Sequence, residues 1–81
     1  MQQKAQVIIE ALGGPQNIKE LDGCVTRLRV TVVDPTKVNE PKLRAAGAIG
    51  VLKIGTGIQA VVGTHAELIA QEINKILKPP A

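Results

Sequence analysis

The chain contains no Phe, Trp or Tyr, so whatever it buries must be built from Val, Ile, Leu and Ala alone. An 81-residue chain can form only one modest core, and small aliphatic side chains fill such a core by close interdigitation. This favours a few short elements in two layers over a multi-step enzyme with its own cofactor domain. It also removes the aromatic platforms on which bases or sugars stack.

Charge narrows the function further. The formal charge is +3, and the basic residues are spread from Lys4 to Lys78 without a run of like sign, which gives little support to a nucleic-acid or acidic-membrane role. The single cysteine, Cys24, has no partner for an internal disulfide, and a free thiol fits a reducing compartment. The start Met-Gln-Gln-Lys-Ala-Gln lacks a signal-peptide apolar stretch, and no segment approaches the roughly 20 apolar residues of a membrane span. The expectation is a cytoplasmic chain that does not itself cross a membrane.

Hydrophobic periodicity predicts the elements in order. Ala5, Ile8, Ile9 and Leu12 lie at helical spacing, and Gly13-Gly14 closes that helix. Ile18 to Leu21 reads as a short strand leading into an Asp22-Gly23 turn and a loop that carries Cys24. Arg27 to Val33 is the clearest strand, with Leu28, Val30 and Val32 on one face and Arg27, Arg29 and Thr31 on the other. Asp34-Pro35 ends it. Asn39 then caps a second helix with Pro41 in its first turn, Leu43 and Ala46 toward the core, and Gly47 beyond its end.

Val51 to Ile54 and Ile58 to Val62 form a second hairpin around Gly55-Thr56-Gly57, which lacks the further glycine and Lys-Ser/Thr of a nucleotide loop. After Gly63, Thr64-His65-Ala66-Glu67 matches a capping box that opens a last helix through Ala66, Ile69, Ala70, Ile73 and Leu77. The order α-β-β-α-β-β-α predicts an α+β fold, a four-stranded, largely antiparallel sheet with three helices on one face. The whole chain, 1–81, reads as one domain, with its core at about 5–77 and a flexible tail at 78–81.

Chemistry concentrates in Asp22-Gly23-Cys24-Val25-Thr26-Arg27-Leu28-Arg29. In a regular strand Arg27 and Arg29 stand roughly 6.5 to 7 Å apart on one face, close enough to share an anion. A thiol attacks as thiolate, which cationic neighbours favour, and an arginine fork can hold two phosphate oxygens while staying charged. Thr26 offers a hydroxyl to the same group. On residue types alone two readings stand side by side: a phosphate or redox site, or a small apolar filler beside the wet face of a half-exposed strand. His65, without a companion signature, reads as a surface residue in a first helical turn.

The segment from Asn17 to Arg29, with its core Asp-x-Cys-x-Thr-Arg-Leu-Arg, resembles the phosphorylation-site signature of IIB domains in the glucose and N-acetylglucosamine group of sugar phosphotransferase systems. Lys37-Val38-Asn39, Gly47-Ala48-Ile49-Gly50-Val51, and Gln59 followed by Val61-Val62-Gly63-Thr64 are similar to the family in type and order, so the resemblance spans about Ala5 to Leu77. It implies that Cys24 accepts a phosphoryl group from a phosphohistidine of a IIA partner and yields it to a sugar held by a IIC membrane domain. By the same resemblance Arg27 and Arg29 are the matching arginines, and Asp22, Thr26 and Gln59 line the site in supporting roles. Gly23 stands where many relatives carry Ala or another small residue.

The resemblance implies no cofactor or metal, and a position at the inner face of the membrane when joined to or docked on IIC. Two other classes of function remain to be weighed: a docking module for a transcription regulator that responds to phosphorylation, and a ferredoxin-like RNA-binding domain. The absence of aromatic residues and the modest charge argue against direct contact with nucleic acid.

Overall fold

The computed structural model describes residues 2–78. Helix α1 (Gln2–Ala11) is followed by strands β1 (Ile18–Cys24) and β2 (Arg27–Val32), helix α2 (Glu40–Ala45), strands β3 (Gly50–Ile54) and β4 (Gly57–Val61), and helix α3 (Ala66–Leu77). The four strands lie in the order β1-β2-β4-β3, and all three pairings are antiparallel. The expected α+β sheet is therefore present. Of the expected tail, Lys78 is exposed and 79–81 lie outside the described residues.

Alternation decides which face is buried. Leu21, Leu28, Val30, Ile58 and Ala60 point to the helix-covered face and are nearly inaccessible, as are Ile8, Ile9 and Leu12 of α1 and Ile69, Ala70 and Ile73 of α3. The opposite face of the sheet is open. Leu43 of α2 joins the core as expected, while Ala46 is only partly buried against it.

Helix ends explain much of the local geometry. The Gly14 amide donates to the Ile9 carbonyl at 2.9 Å, and Gly13 and Gly14 both have positive φ, a glycine-dependent termination of α1. At α2 the Asn39 side chain accepts from the Lys42 amide at 3.0 Å, the expected cap. Asp34 caps a 3-10 turn (Pro35–Lys37), accepting from the Thr36 hydroxyl at 2.6 Å and from its amide at 3.0 Å. Those two bonds hold the Asp34 carboxyl below its ordinary range.

Sequence patterning missed the buried Asn17. Its amide nitrogen donates to the Leu12 carbonyl at 2.7 Å and the Asp34 carbonyl at 3.0 Å, while its oxygen accepts from the Asp34 amide at 2.8 Å. One side chain thus joins the end of α1, the approach to β1 and the exit of β2. A polar group can be buried here because its hydrogen bonds are met.

The capping box does not form. Helix α3 begins at Ala66 behind His65, which makes no side-chain cap, and the Ala66 amide donates to the Gly63 carbonyl at 3.2 Å in a preceding turn. Farther along α3, Asn74 donates to the Leu21 carbonyl of edge strand β1 at 3.0 Å and fixes the helix along that strand.

The Asp22-Gly23 turn is also corrected. Both residues lie within β1, and the chain reverses at Val25-Thr26 instead. Gly23 faces α3, and a Cβ there would lie 2.6 Å from the Ala66 carbonyl oxygen and 2.8 Å from the Glu67 Cα. Backbone cannot swing aside as a flexible side chain does. Gly23→Ala is therefore expected to lower stability by about 1–3 kcal/mol in urea unfolding, as overpacked sites do. Unchanged stability would show that α3 does not sit this close.

Candidate functional site

The β1–β2 hairpin places the site residues in two adjacent rows on the open face of the sheet. Cys24 is opposite Arg27, and Arg27 is in turn opposite Val61 of β4. In the next row Asp22 is opposite Arg29, Arg29 opposite Gln59, and Gln59 opposite Leu52 of β3. The period of two along each strand then puts Cys24, Asp22, Arg27, Arg29 and Gln59 on one surface. Cys24 is a free, exposed thiol at the last residue of β1 rather than in the loop expected from the sequence.

The two arginines have different partners. Arg27 Nη1 donates to Gln59 Oε1 at 2.9 Å, so a neutral amide orients its guanidinium, and no carboxylate among the described residues pairs with it. Arg29 engages Asp22 through two contacts, Nε to Oδ1 at 3.2 Å and Nη2 to Oδ2 at 3.4 Å. Both members of that pair have more than half of their side chains exposed, at 56% and 62%. Such an ion pair adds little to stability.

Thr26 takes part in a way its hydroxyl did not suggest. Its carbonyl accepts the Val62 amide at 2.9 Å and the Gly63 amide at 3.1 Å, which ties the turn after Cys24 to the segment leading into α3. Its neighbour Val25 has φ of 51° and is 70% exposed. A β-branched residue in the left-handed region is strained, and a hairpin with only two residues between its strands requires the unusual conformation.

Two grooves flank the rows. One of about 250 Å³ lies beside Arg27 against Gly50, Leu52, Gln59 and Val61, and another of about 680 Å³ includes Asp22, Arg29, Thr31, Leu52 and Ile54. Cys24 lines neither and stands at the margin, accessible to a reactant from outside. His65 is exposed at the start of α3. Among the described residues no three His, Cys, Asp or Glu gather as metal ligands would.

The sequence that carries these residues matches a known family. The family described as phosphotransferase system, EIIB, matches residues 6–39, which contain Asp22, Cys24, Arg27 and Arg29. An N-acetylglucosamine-specific EIIB component of the phosphotransferase system from Streptomyces coelicolor is 54% identical over 77 residues, covering 95% of this chain and 100% of that protein. The chain belongs to the EIIB family.

A crystal structure of one domain of the phosphotransferase system IIabc component from Clostridium difficile shares the fold with a TM-score of 0.71. It is 29% identical, and the match covers 88% of this chain and 72% of that one. As an EIIB component, the chain is a phosphoryl carrier and a sugar phosphotransferase, with IIA and IIC partners in its cascade. No described helix is long and apolar enough to cross a membrane.

The strain at Val25 has a measurable consequence. Val25→Gly removes the left-handed penalty at an exposed position, and part of the gain is offset by the greater freedom of glycine in the unfolded chain. The net change expected is a stabilisation of about 1 kcal/mol in urea unfolding. A loss of stability would show that the valine side chain contributes contacts the hairpin needs.

Proposed function

We propose that Cys24 carries the phosphoryl group, taking it from a phosphohistidine of a IIA protein and passing it to N-acetylglucosamine bound by a IIC membrane domain. The observation that carries this reading is the placement of Cys24 directly opposite Arg27, with Arg29 in the adjoining row. The sugar follows from the relative that the chain covers in full. The chain works as one domain in the cytoplasm, at the inner face of the membrane when it meets IIC.

The chemistry is two displacements at phosphorus. The Cys24 thiolate attacks, the S–P bond forms as the P–N bond breaks, and the departing electron pair stays on the imidazole nitrogen, which takes a proton. A sugar hydroxyl oxygen then attacks, the O–P bond forms as the S–P bond breaks, and thiolate is regenerated as the hydroxyl proton leaves to solvent. The protein's contribution is position and charge, because phosphoryl transfer leaves its oxygens to be stabilised in flight. Arg27, oriented by Gln59, and the Arg29 fork supply planar donors for those oxygens. Thr26 supports the turn.

The direct test is the intact mass after incubation with phosphoenolpyruvate and the donor proteins. One phosphate adduct is expected on the wild-type chain and none on Cys24→Ser, and iodine should release the phosphate as it does from a thiophosphate. An acid-labile, iodine-resistant adduct on His65 would overturn the assignment.

The arginines give a second test. Arg27→Lys and Arg29→Lys keep the charge and lose the fork, so both should fold normally while sugar phosphorylation by IIC membranes falls by about two orders of magnitude. Transfer within a few-fold of wild type in both variants would make these arginines ordinary surface residues.

A further inference from the structure

We propose that Asp22 is a positioning residue that keeps the phosphorylated form of Cys24 high in free energy, by holding Arg29 back from the phosphoryl group. This deepens the reading above and rests on Cys24 being the phosphorylated residue. The observation behind it is the asymmetry between the two arginines, one oriented by a neutral amide and the other bound by a carboxylate.

Asp22 stands two residues before Cys24 on the same face of β1, at a Cα separation of roughly 6.5 to 7 Å. With Cys24 as thiolate, the cluster balances: Arg27 and Arg29 against Asp22 and the sulfur. Phosphorylation adds an anion of charge approaching −2 at the sulfur, and the same two cations are then outweighed. The S-phosphoryl group must share Arg29 with Asp22. It is consequently less stabilised than two free arginines would make it.

The contact lengths support an exchangeable pair. At 3.2 and 3.4 Å the Arg29–Asp22 bonds are longer than the roughly 2.7 to 2.9 Å of tight charge-assisted bonds, and both side chains lie in solvent. The fork can therefore turn toward an incoming phosphoryl group, while the carboxylate remains nearby to repel it. A carrier needs this balance, because a phosphocysteine bound too well would accept the group and fail to yield it. Asp22 biases the cluster toward release.

The test is the position of the phosphoryl exchange equilibrium with a purified IIA protein of the glucose/N-acetylglucosamine type, charged from phosphoenolpyruvate. Asp22→Asn and Asp22→Ser both remove the charge while differing in shape. Each should move the equilibrium toward phosphocysteine by about three- to ten-fold, the effect of one unit charge at about 7 Å in a solvent-exposed site. In both variants the second ionisation of the S-phosphate, followed by phosphorus NMR, should fall by about half to one pH unit, because a neighbouring anion disfavours the dianion.

An unchanged equilibrium with an unmoved phosphate titration would overturn the role of Asp22, as would a shift toward phosphorylated IIA. If wild-type Cys24 takes up no phosphate at all, the carrier assignment fails instead, and the two failures are told apart by the mass of the wild-type chain.

Discussion

The register of β1 against β2 is the constraint on which the site depends. Leu21 of β1 and Leu28 and Val30 of β2 must point into the aliphatic core, and a slip of either strand by one residue would turn that strand's own buried side chains to solvent. Burial therefore selects a single register. The same register sends Asp22, Cys24, Arg27 and Arg29 to the open face and sets them directly opposite one another. The clustering of these residues is thus a consequence of packing on the reverse side of the sheet.

Holding that register at its open end takes two further features. The turn is only Val25-Thr26, and the Thr26 carbonyl binds the amides of Val62 and Gly63, so the turn is anchored to the chain that enters α3. Gly23, beside Cys24, allows the first turn of α3 to lie against the strand at a distance no other residue permits. Helix and hairpin are consequently locked together next to the thiol. Conformational strain at Val25 is tolerated because its neighbours on both sides are fixed.

Much of this was legible in the sequence. Alternation from Arg27 to Val33 gave a strand, which the structure ends one residue earlier at Val32, together with its buried face and the shared surface of the two arginines, because period two is a local property. The cap at Asn39 and the glycine end of α1 were legible for the same reason. Misreadings came where tertiary contacts decide. Asp22-Gly23 has the composition of a turn, yet Gly23 is needed for the approach of α3, and pairing with β2 carries the strand on to Cys24. Thr64 has the pattern of a cap, but a turn in which the Ala66 amide donates to the Gly63 carbonyl precedes the helix, and the helix starts behind His65 instead. The buried bonds of Asn17 and the division of partners between Arg27 and Arg29 required knowing which distant elements meet.

The proposed role of Cys24 requires that the two arginines of β2 hold its phosphoryl group. Nitrogen-15 NMR of the arginine guanidinium groups, recorded before and after phosphorylation, tests it most directly. Arg44 serves as the comparison, since its guanidinium donates to the Ile49 carbonyl at 3.3 Å just before β3, the edge strand opposite β1. The signals of Arg27 and Arg29 should shift strongly and exchange more slowly with solvent, while those of Arg44 stay in place. Phosphorylated protein in which the signals of Arg27 and Arg29 move no more than those of Arg44 would show that these arginines do not hold the phosphoryl group.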